Sequence, residues 1–142
     1  MKKSTSLAAA IGVALSFGSA HASSWPTSVV GTWHMLANQN SPVLTITSQG
    51  ISGKCRPIDG TIVDAATGAN DIIIGFYCPL SGRISFLRNN SKTNGTFQVF
   101  VGNLSDAPTT GNERRMGGTF LEETGPATIL GEYEWFAQLS PR

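Results

Sequence analysis

The chain has 142 residues, of which 40% are hydrophobic and 13% are charged, and its formal net charge at pH 7 is +1. A chain of this length forms one domain with a modest core. Because its few basic residues are dispersed and nearly balanced by acidic ones, we expect neither nucleic acid nor an anionic membrane surface as a partner.

The N-terminus has the three regions of a secretory signal peptide. Lys2 and Lys3 precede an apolar stretch at 7–17, and the small-residue sequence Ala20-His21-Ala22 follows it. We expect cleavage after Ala22, a secreted or periplasmic location, and one mature domain over 23–142. Loss of two of the ten basic residues, against nine acidic ones, takes the formal charge to −1. The alternative, a transmembrane anchor, needs an apolar run of about 20 residues, which is longer than this one.

The rest of the chain has the pattern of an all-β domain. Short runs rich in Val, Ile, Thr, Phe and Tyr are separated by turn sequences that contain Asn, Gly and Pro. The predicted strands are 29–37, 43–48, 51–63, 71–87, 95–103, 116–122 and 130–139. Pro79 interrupts one of these runs, so the strand count is seven or eight. Consecutive hairpins favour an antiparallel up-and-down meander that closes into a barrel, since closure removes exposed edges. A sandwich of two sheets is the alternative.

Cys55 and Cys78 are the only cysteines of the chain. An exported protein passes through an oxidising compartment in which a disulfide persists. If 51–63 and 71–87 form a hairpin that turns near Ala66, facing residues have numbers that sum to about 133, and the two cysteines face each other. We therefore predict a Cys55–Cys78 disulfide. Two buried thiols, or a link between chains, are the alternatives.

Several short stretches, in order along the chain, resemble the avidin and streptavidin family of biotin-binding barrels. They are Gly31-Thr32-Trp33 with 43–46, Gly50-Ile51-Ser52-Gly53, 78–83, 95–103, 116–120 and Glu134-Trp135-Phe136. The stretch at 78–83 is most similar to the short-chain dimeric avidins such as rhizavidin. The resemblance implies an avidin-like barrel whose fourth, fifth, sixth and seventh strands carry the last four stretches. It also implies that the chain ends before the family's eighth strand.

The same resemblance implies that most positions that contact biotin in the family differ in this chain. Ser41 matches a serine of the first loop, and Trp135 matches the tryptophan of the seventh strand. The family's other polar and aromatic contacts fall at Met35, Cys55, Pro57, Val101 and Met116. Because each buried polar group left unpaired costs about 1 to 3 kcal/mol, we expect weak biotin binding at most, or another ligand.

The resemblance and the strand alternation together predict a set of ligand-binding residues. They are Trp33, Met35, Ser41, Phe97, Arg114, Met116 and Trp135. An indole offers a flat apolar wall to a ring or an alkyl chain. Arg114, placed at the mouth of the cavity, can pair with a carboxylate bidentately. The alternatives are a core plug for Trp33, core filling for the two methionines and a solvated loop position for Arg114.

Alternation along the strands also divides the aromatic residues between the two faces of the sheet. With Phe97, Phe120 and Trp135 inward, the apolar residues expected to point outward are Phe100, Leu121 and Phe136. Apolar side chains on the outer face of several strands are typical of a subunit interface. We therefore expect a homodimer.

The sequence contains no recognisable catalytic or metal-binding set. His34 is the only histidine after signal cleavage, and the cysteines are assigned to a disulfide, so no metal site and no cofactor are predicted. Glu132 and Glu134 share one face of a strand, where solvation explains them. We do not expect an enzyme.

Two functional hypotheses remain. The first is a secreted avidin-like barrel that binds a small, mostly apolar ligand non-covalently in its interior, with weak biotin binding included. The second is an exported protein-interaction module, of the inhibitor or adhesion type, with a packed barrel interior. The volume inside the barrel discriminates between them.

Overall fold

The structure, a computed structural model, describes residues 25–90, 95–105, 114–125 and 128–140. Eight antiparallel strands form a meander in which each strand pairs with the next, and β8 pairs with β1 to close a barrel. They are β1 (Gly31–Ala37), β2 (Val43–Gln49), β3 (Arg56–Asp64), β4 (Ala69–Cys78), β5 (Arg83–Asn90), β6 (Thr96–Leu104), β7 (Arg115–Thr124) and β8 (Thr128–Leu139). The predicted all-β barrel is confirmed, and the sandwich is excluded.

The predicted signal peptide at 1–22 lies outside the described residues. Within the described ranges, no helix has the length and apolarity that crossing a bilayer requires.

The run at 71–87 is two strands joined by a tight turn. β4 ends at Cys78 and β5 begins at Arg83, and Gly82 in the turn has a φ of 67°, which favours glycine. The last four family-like stretches therefore lie one strand later than the resemblance implied, in β5, β6, β7 and β8. The expectation that the eighth strand is missing is wrong, because the run at 71–87, for which the sequence allows one strand or two, forms two.

The β3–β4 hairpin has the predicted register. Arg56 faces Tyr77 and Asp64 faces Ala69, so facing residue numbers keep a constant sum, and the chain reverses over 65–68. Cys55 and Cys78 lie next to the Arg56–Tyr77 pair and are bonded to each other. The predicted disulfide is confirmed. It ties the β2–β3 connection to the end of β4.

Side chains alternate between a buried interior and an exposed outer face, as in other barrels. In β6 the alternation is opposite to the predicted one: Phe97 is 38% exposed, whereas Phe100 is 1% exposed and points inward. Phe100 stacks on Phe86 and on Phe120, at ring-centroid distances of 4.6 and 4.7 Å. The prediction that Phe97 lines the interior and Phe100 the outside is therefore wrong. The opposite face of β6 points inward, because Phe100 packs between the rings of Phe86 and Phe120.

One end of the barrel is covered by residues 25–30, which precede β1. The Tyr77 hydroxyl donates a hydrogen bond of 2.6 Å to the carbonyl of Pro26, and the Trp33 indole N–H donates one of 3.0 Å to Val29. Arg114 donates to the carbonyl of Ser28 at 3.3 Å. This covered end is called the closed end below, and the opposite end is called the open end.

Candidate functional site

The open end is formed by the β1–β2 and β3–β4 turns together with the neighbouring strand ends. The β1–β2 turn is a two-residue hairpin turn in which Asn38 and Gln39 have φ values of 43° and 69°. Two left-handed residues in succession are the geometry of a type I′ turn, and asparagine tolerates it better than most residues. Asn38 and Asn40 of this turn face a cavity of about 210 Å³.

This open-end cavity has polar walls and an aromatic floor. Besides the turn residues Asn38, Asn40 and Thr67 and the strand-end residue Asn90, its polar lining comes from inward positions of β3, β5, β6 and β7, which are Asp64, Arg88, Gln98 and Glu122. Phe100 and Phe120, the stacked rings of the core, form part of its apolar lining. Below the floor, buried apolar side chains of all eight strands form one packed cluster.

Arg88 is held at the cavity wall by partners on the two neighbouring strands. Its Nε–H donates to Asp71 Oδ2 at 2.7 Å, a second guanidinium nitrogen lies 2.7 Å from the same oxygen, and a third contact of 3.1 Å reaches Gln98 Oε1. All three side chains are buried. The planar guanidinium of Arg88 carries several N–H groups, so it can donate to a carboxylate and to an amide oxygen at the same time.

Asp64 and Glu122 are the remaining carboxylates of the cavity lining. Asp64 is 5% exposed, and its Oδ1 accepts a hydrogen bond of 3.0 Å from the backbone N–H of Ala66. That bond stabilises the β3–β4 turn, as aspartate side chains commonly do. Glu122 is half-buried. Among the described residues, neither carboxylate has an ion-pair partner.

Sequence reasoning missed Asp64, Asp71, Arg88 and Gln98. The available signal was the hairpin register, which puts Asp71 on the same face as the apolar Ile73. A charged residue at an inward position of a barrel strand requires a partner or a ligand. The sequence does not say that β5 and β6 supply that partner.

The structure does not bring the predicted ligand-binding residues together. Trp33, Met35 and Met116 are buried in the packed core toward the closed end, and none of them lines the open-end cavity. Ser41 is exposed beside the β1–β2 turn, and Phe97 lies on the outer face. Arg114 lies at the closed end, so its predicted place at the mouth is wrong.

Trp135 points inward, as predicted, but its indole N–H and its ring already have partners within the protein. Its indole N–H donates to the carbonyls of Val101 and Thr119 at 3.2 and 3.1 Å. The ring packs edge-on against Phe86 and Phe100, with centroid distances of 5.7 and 5.9 Å. Trp135 thus lies in the core rather than on the cavity wall.

Comparison with solved structures supports the architecture. The structure of apo shwanavidin superposes with a TM-score of 0.55, over 78% of this chain and 99% of that chain, at 16% sequence identity. The barrel is avidin-like. No protein-family model matches the chain, and no curated protein matches it. At 16% identity the likeness establishes the avidin-like fold and nothing about the residues of the site.

A second surface feature lies on the outer face of the avidin-like barrel. Ile72, Ile74 and Phe76 are successive outward residues of β4 and are 70%, 55% and 54% exposed. Ile74 and Phe76 line a groove of about 400 Å³ that continues across Leu87 and Val99 on the next two strands. A contiguous apolar patch of this kind marks an interaction surface more often than chance exposure does.

Proposed function

We propose that this protein is a non-enzymatic, avidin-like binding protein that holds a small polar molecule in the open-end cavity. The observation that carries the proposal is a cavity whose buried lining combines Asp64, Arg88 and Gln98 above an aromatic floor. Buried polar groups are costly unless they are hydrogen-bonded, so a ligand that supplies matching groups gains affinity from them.

The walls favour a polar ligand over the mostly apolar one expected from the sequence. The apolar candidates Trp33, Met35 and Met116 pack in the core, whereas the cavity is lined by charged and amide side chains. Its volume of about 210 Å³ is below the roughly 300 to 1,000 Å³ of drug-sized sites. The ligand is therefore small. Biotin binding remains part of the proposal only as a weak interaction.

The test is a titration of ¹⁵N-labelled mature protein with biotin and with a panel of small polar metabolites. We expect amide resonances around the cavity to shift in the wild type and to stop responding in Glu122→Trp, whose indole fills the cavity. Glu132→Trp places the same side chain on the exposed face of β8 and serves as the control. Silence of the cavity resonances across the whole panel would count against an interior binding site.

A second candidate function is a protein-interaction module, favoured by the packed core and the apolar patch on β4. As expected from the sequence, such a module is of the inhibitor or adhesion type. A homodimer is a separate part of the proposal, in which a second copy of the chain buries Ile72, Ile74 and Phe76. Phe100, expected on the outer face, is buried, so the β4 patch rather than Phe100 supports the dimer. Phe136, 40% exposed, is outward as expected.

Export is part of the same proposal. The disulfide between Cys55 and Cys78 is compatible with an oxidising compartment outside the cytoplasm. We expect N-terminal sequencing of protein recovered from periplasm and culture medium to begin at Ser23. Recovery of a chain that retains residues 1–22 would overturn cleavage after Ala22.

A further inference from the structure

From the charges around the open-end cavity we infer that its ligand is a small organic cation, an ammonium or guanidinium compound with a short apolar part. This inference rests on the proposed function and names the chemical class of the ligand. Three groups of residues carry it: two carboxylates with no counter-charge among the described residues, an arginine neutralised by its own partner, and an apolar floor of aromatic rings.

The first group consists of Asp64 and Glu122. Asp64 is nine-tenths buried and lines the cavity, and among the described residues its carboxylate accepts one hydrogen bond, at Oδ1, while Oδ2 has no donor. The half-buried Glu122 lines the same cavity, and no described residue gives its side chain a hydrogen bond or an ion pair. Asp64 Oδ2 is accessible from the cavity, since it is not one of the fully buried unpaired atoms, and a mostly enclosed carboxylate without a counter-charge is poorly solvated. A cation that enters the cavity supplies that charge.

The second group is the Arg88–Asp71 pair. Because Asp71 Oδ2 lies 2.7 Å from two nitrogens of Arg88, the guanidinium charge is compensated within the protein. Among the described side chains at the cavity wall and directly behind it, the carboxylates are those of Asp64, Asp71 and Glu122, and the guanidinium is that of Arg88. Their net charge is therefore negative. The resulting potential favours a positive ligand and disfavours a negative one.

The third group is the aromatic floor. Phe100 and Phe120 line the cavity and stack on each other, with ring centroids 4.7 Å apart. Both faces of Phe100 are covered, by Phe86 and by Phe120, so the floor accepts the apolar part of a ligand rather than its charge. A metal ion is a poorer occupant, because the described residues include no cluster of three or more His, Cys, Asp or Glu side chains that could ligate one.

The experiment uses three probes with one carbon skeleton: n-butylamine, 1-butanol and butyrate. Each is titrated into ¹⁵N-labelled mature protein at low ionic strength, because salt screens the attraction. We expect the amine to shift the amide resonances of Asp64, Gln98 and Glu122 in a saturable manner. The alcohol and the carboxylate are expected to bind at least about tenfold more weakly, the loss that one charge-assisted hydrogen bond corresponds to.

Variants that each remove one charge test whether the carboxylates of Asp64 and Glu122 bind the amine. Asp64→Asn keeps the oxygen that accepts from Ala66, so the β3–β4 turn is retained while the charge is lost. Glu122→Gln removes the second charge without breaking a hydrogen bond. We expect each variant to weaken amine binding about tenfold. Glu132→Gln removes the same charge from the exposed face of β8 and is expected to leave binding unchanged.

Two results overturn the inference, and they are distinguishable. Equal shifts of the cavity resonances by all three probes, or unchanged amine affinity in both charge-removing variants, would disprove the preference for cations and leave the small-ligand function standing. Silence of the cavity resonances with these probes and with the metabolite panel would overturn both.

Discussion

Arg88 and Asp71 show how single residues set both stability and the character of the site. Their side chains are almost fully buried and 2.7 Å apart, in an interior where neither charge is solvated by bulk water. Removing one partner of a buried pair is far more destabilising than removing both, because the survivor keeps its desolvation cost. The pair also neutralises the only described guanidinium of the cavity lining.

We expect Arg88→Met to lower the free energy of unfolding by about 3 kcal/mol or more, since the guanidinium beside the Asp71 carboxylate is lost. The double variant Arg88→Met with Asp71→Asn should recover part of that loss. Urea unfolding followed by tryptophan fluorescence measures both. A double variant as unstable as the sum of the two single variants would contradict coupling between the residues.

The ionisation of Tyr77 makes the stability of the closed end depend on pH. Burial raises the pKa of Tyr77 above its ordinary value of 10.0, while the positive charges of Arg114 and Arg56 lower it in part. Because the folded protein holds this proton more tightly than the unfolded chain, the stabilisation is complete below pH 10 and is lost as the pH rises through the folded pKa.

The free energy of unfolding should therefore fall above about pH 10 in the wild type and fall less steeply in Tyr77→Phe. The slope is the informative quantity, because the variant also loses the hydrogen bond to Pro26 at every pH. Tyr133→Phe, on β8, is the control. Parallel slopes in wild type and Tyr77→Phe would show that another group governs the alkaline loss.

At the scale of elements, glycines of β6 and β7 let the Trp135 indole lie across the strands. A Cβ at Gly102 would collide with the carbonyl of Gly117 and lie 2.8 Å from the indole ring. A Cβ at Gly118 would collide with the carbonyl of Val101, which accepts from the indole N–H. The close approach of β6, β7 and Trp135 therefore requires glycine at both positions.

Gly102→Ala is expected to destabilise the barrel by about 1 to 3 kcal/mol, as overpacking of a core does, and to shift the tryptophan emission. Thermal unfolding and fluorescence spectra measure the two effects. Gly125→Ala is the matched control, because a Cβ there meets nothing within 4 Å. Equal stability of the two variants would contradict the tight packing around Trp135.

At the scale of the whole molecule, the exposed apolar patch on β4 favours association of two barrels. We expect Ile74→Lys to convert a dimer into a monomer, because a charge on this face opposes burial. Light scattering after size exclusion measures the mass. Ile129→Lys is the control, since Ile129 is 60% exposed on β8, which is four strands from β4 around the barrel. A wild type that is monomeric at micromolar concentration would disprove the dimer.

More of the fold than of the site could be predicted from the sequence. The β3–β4 register and the Cys55–Cys78 disulfide could be predicted from residue numbers alone, because a hairpin pairs residues symmetrically about its turn. The cavity depends on which inward residues of β3, β5, β6 and β7 meet at one end of the barrel. Arg88 and Gln98 face each other in the β5–β6 hairpin, but Asp64, Glu122 and the β1–β2 turn come together with them only when the barrel closes.

The sequence by itself determined the β-strand periodicity, the hairpins and the sulfur bridge, because these depend on neighbours along the chain. Tertiary structure decided which face of β6 is interior. Phe97 and Phe100 lie at opposite parities, and a period of two does not choose between them. The choice follows from packing: Phe100 fits between Phe86 and Phe120, and the same register brings Gln98 to Arg88.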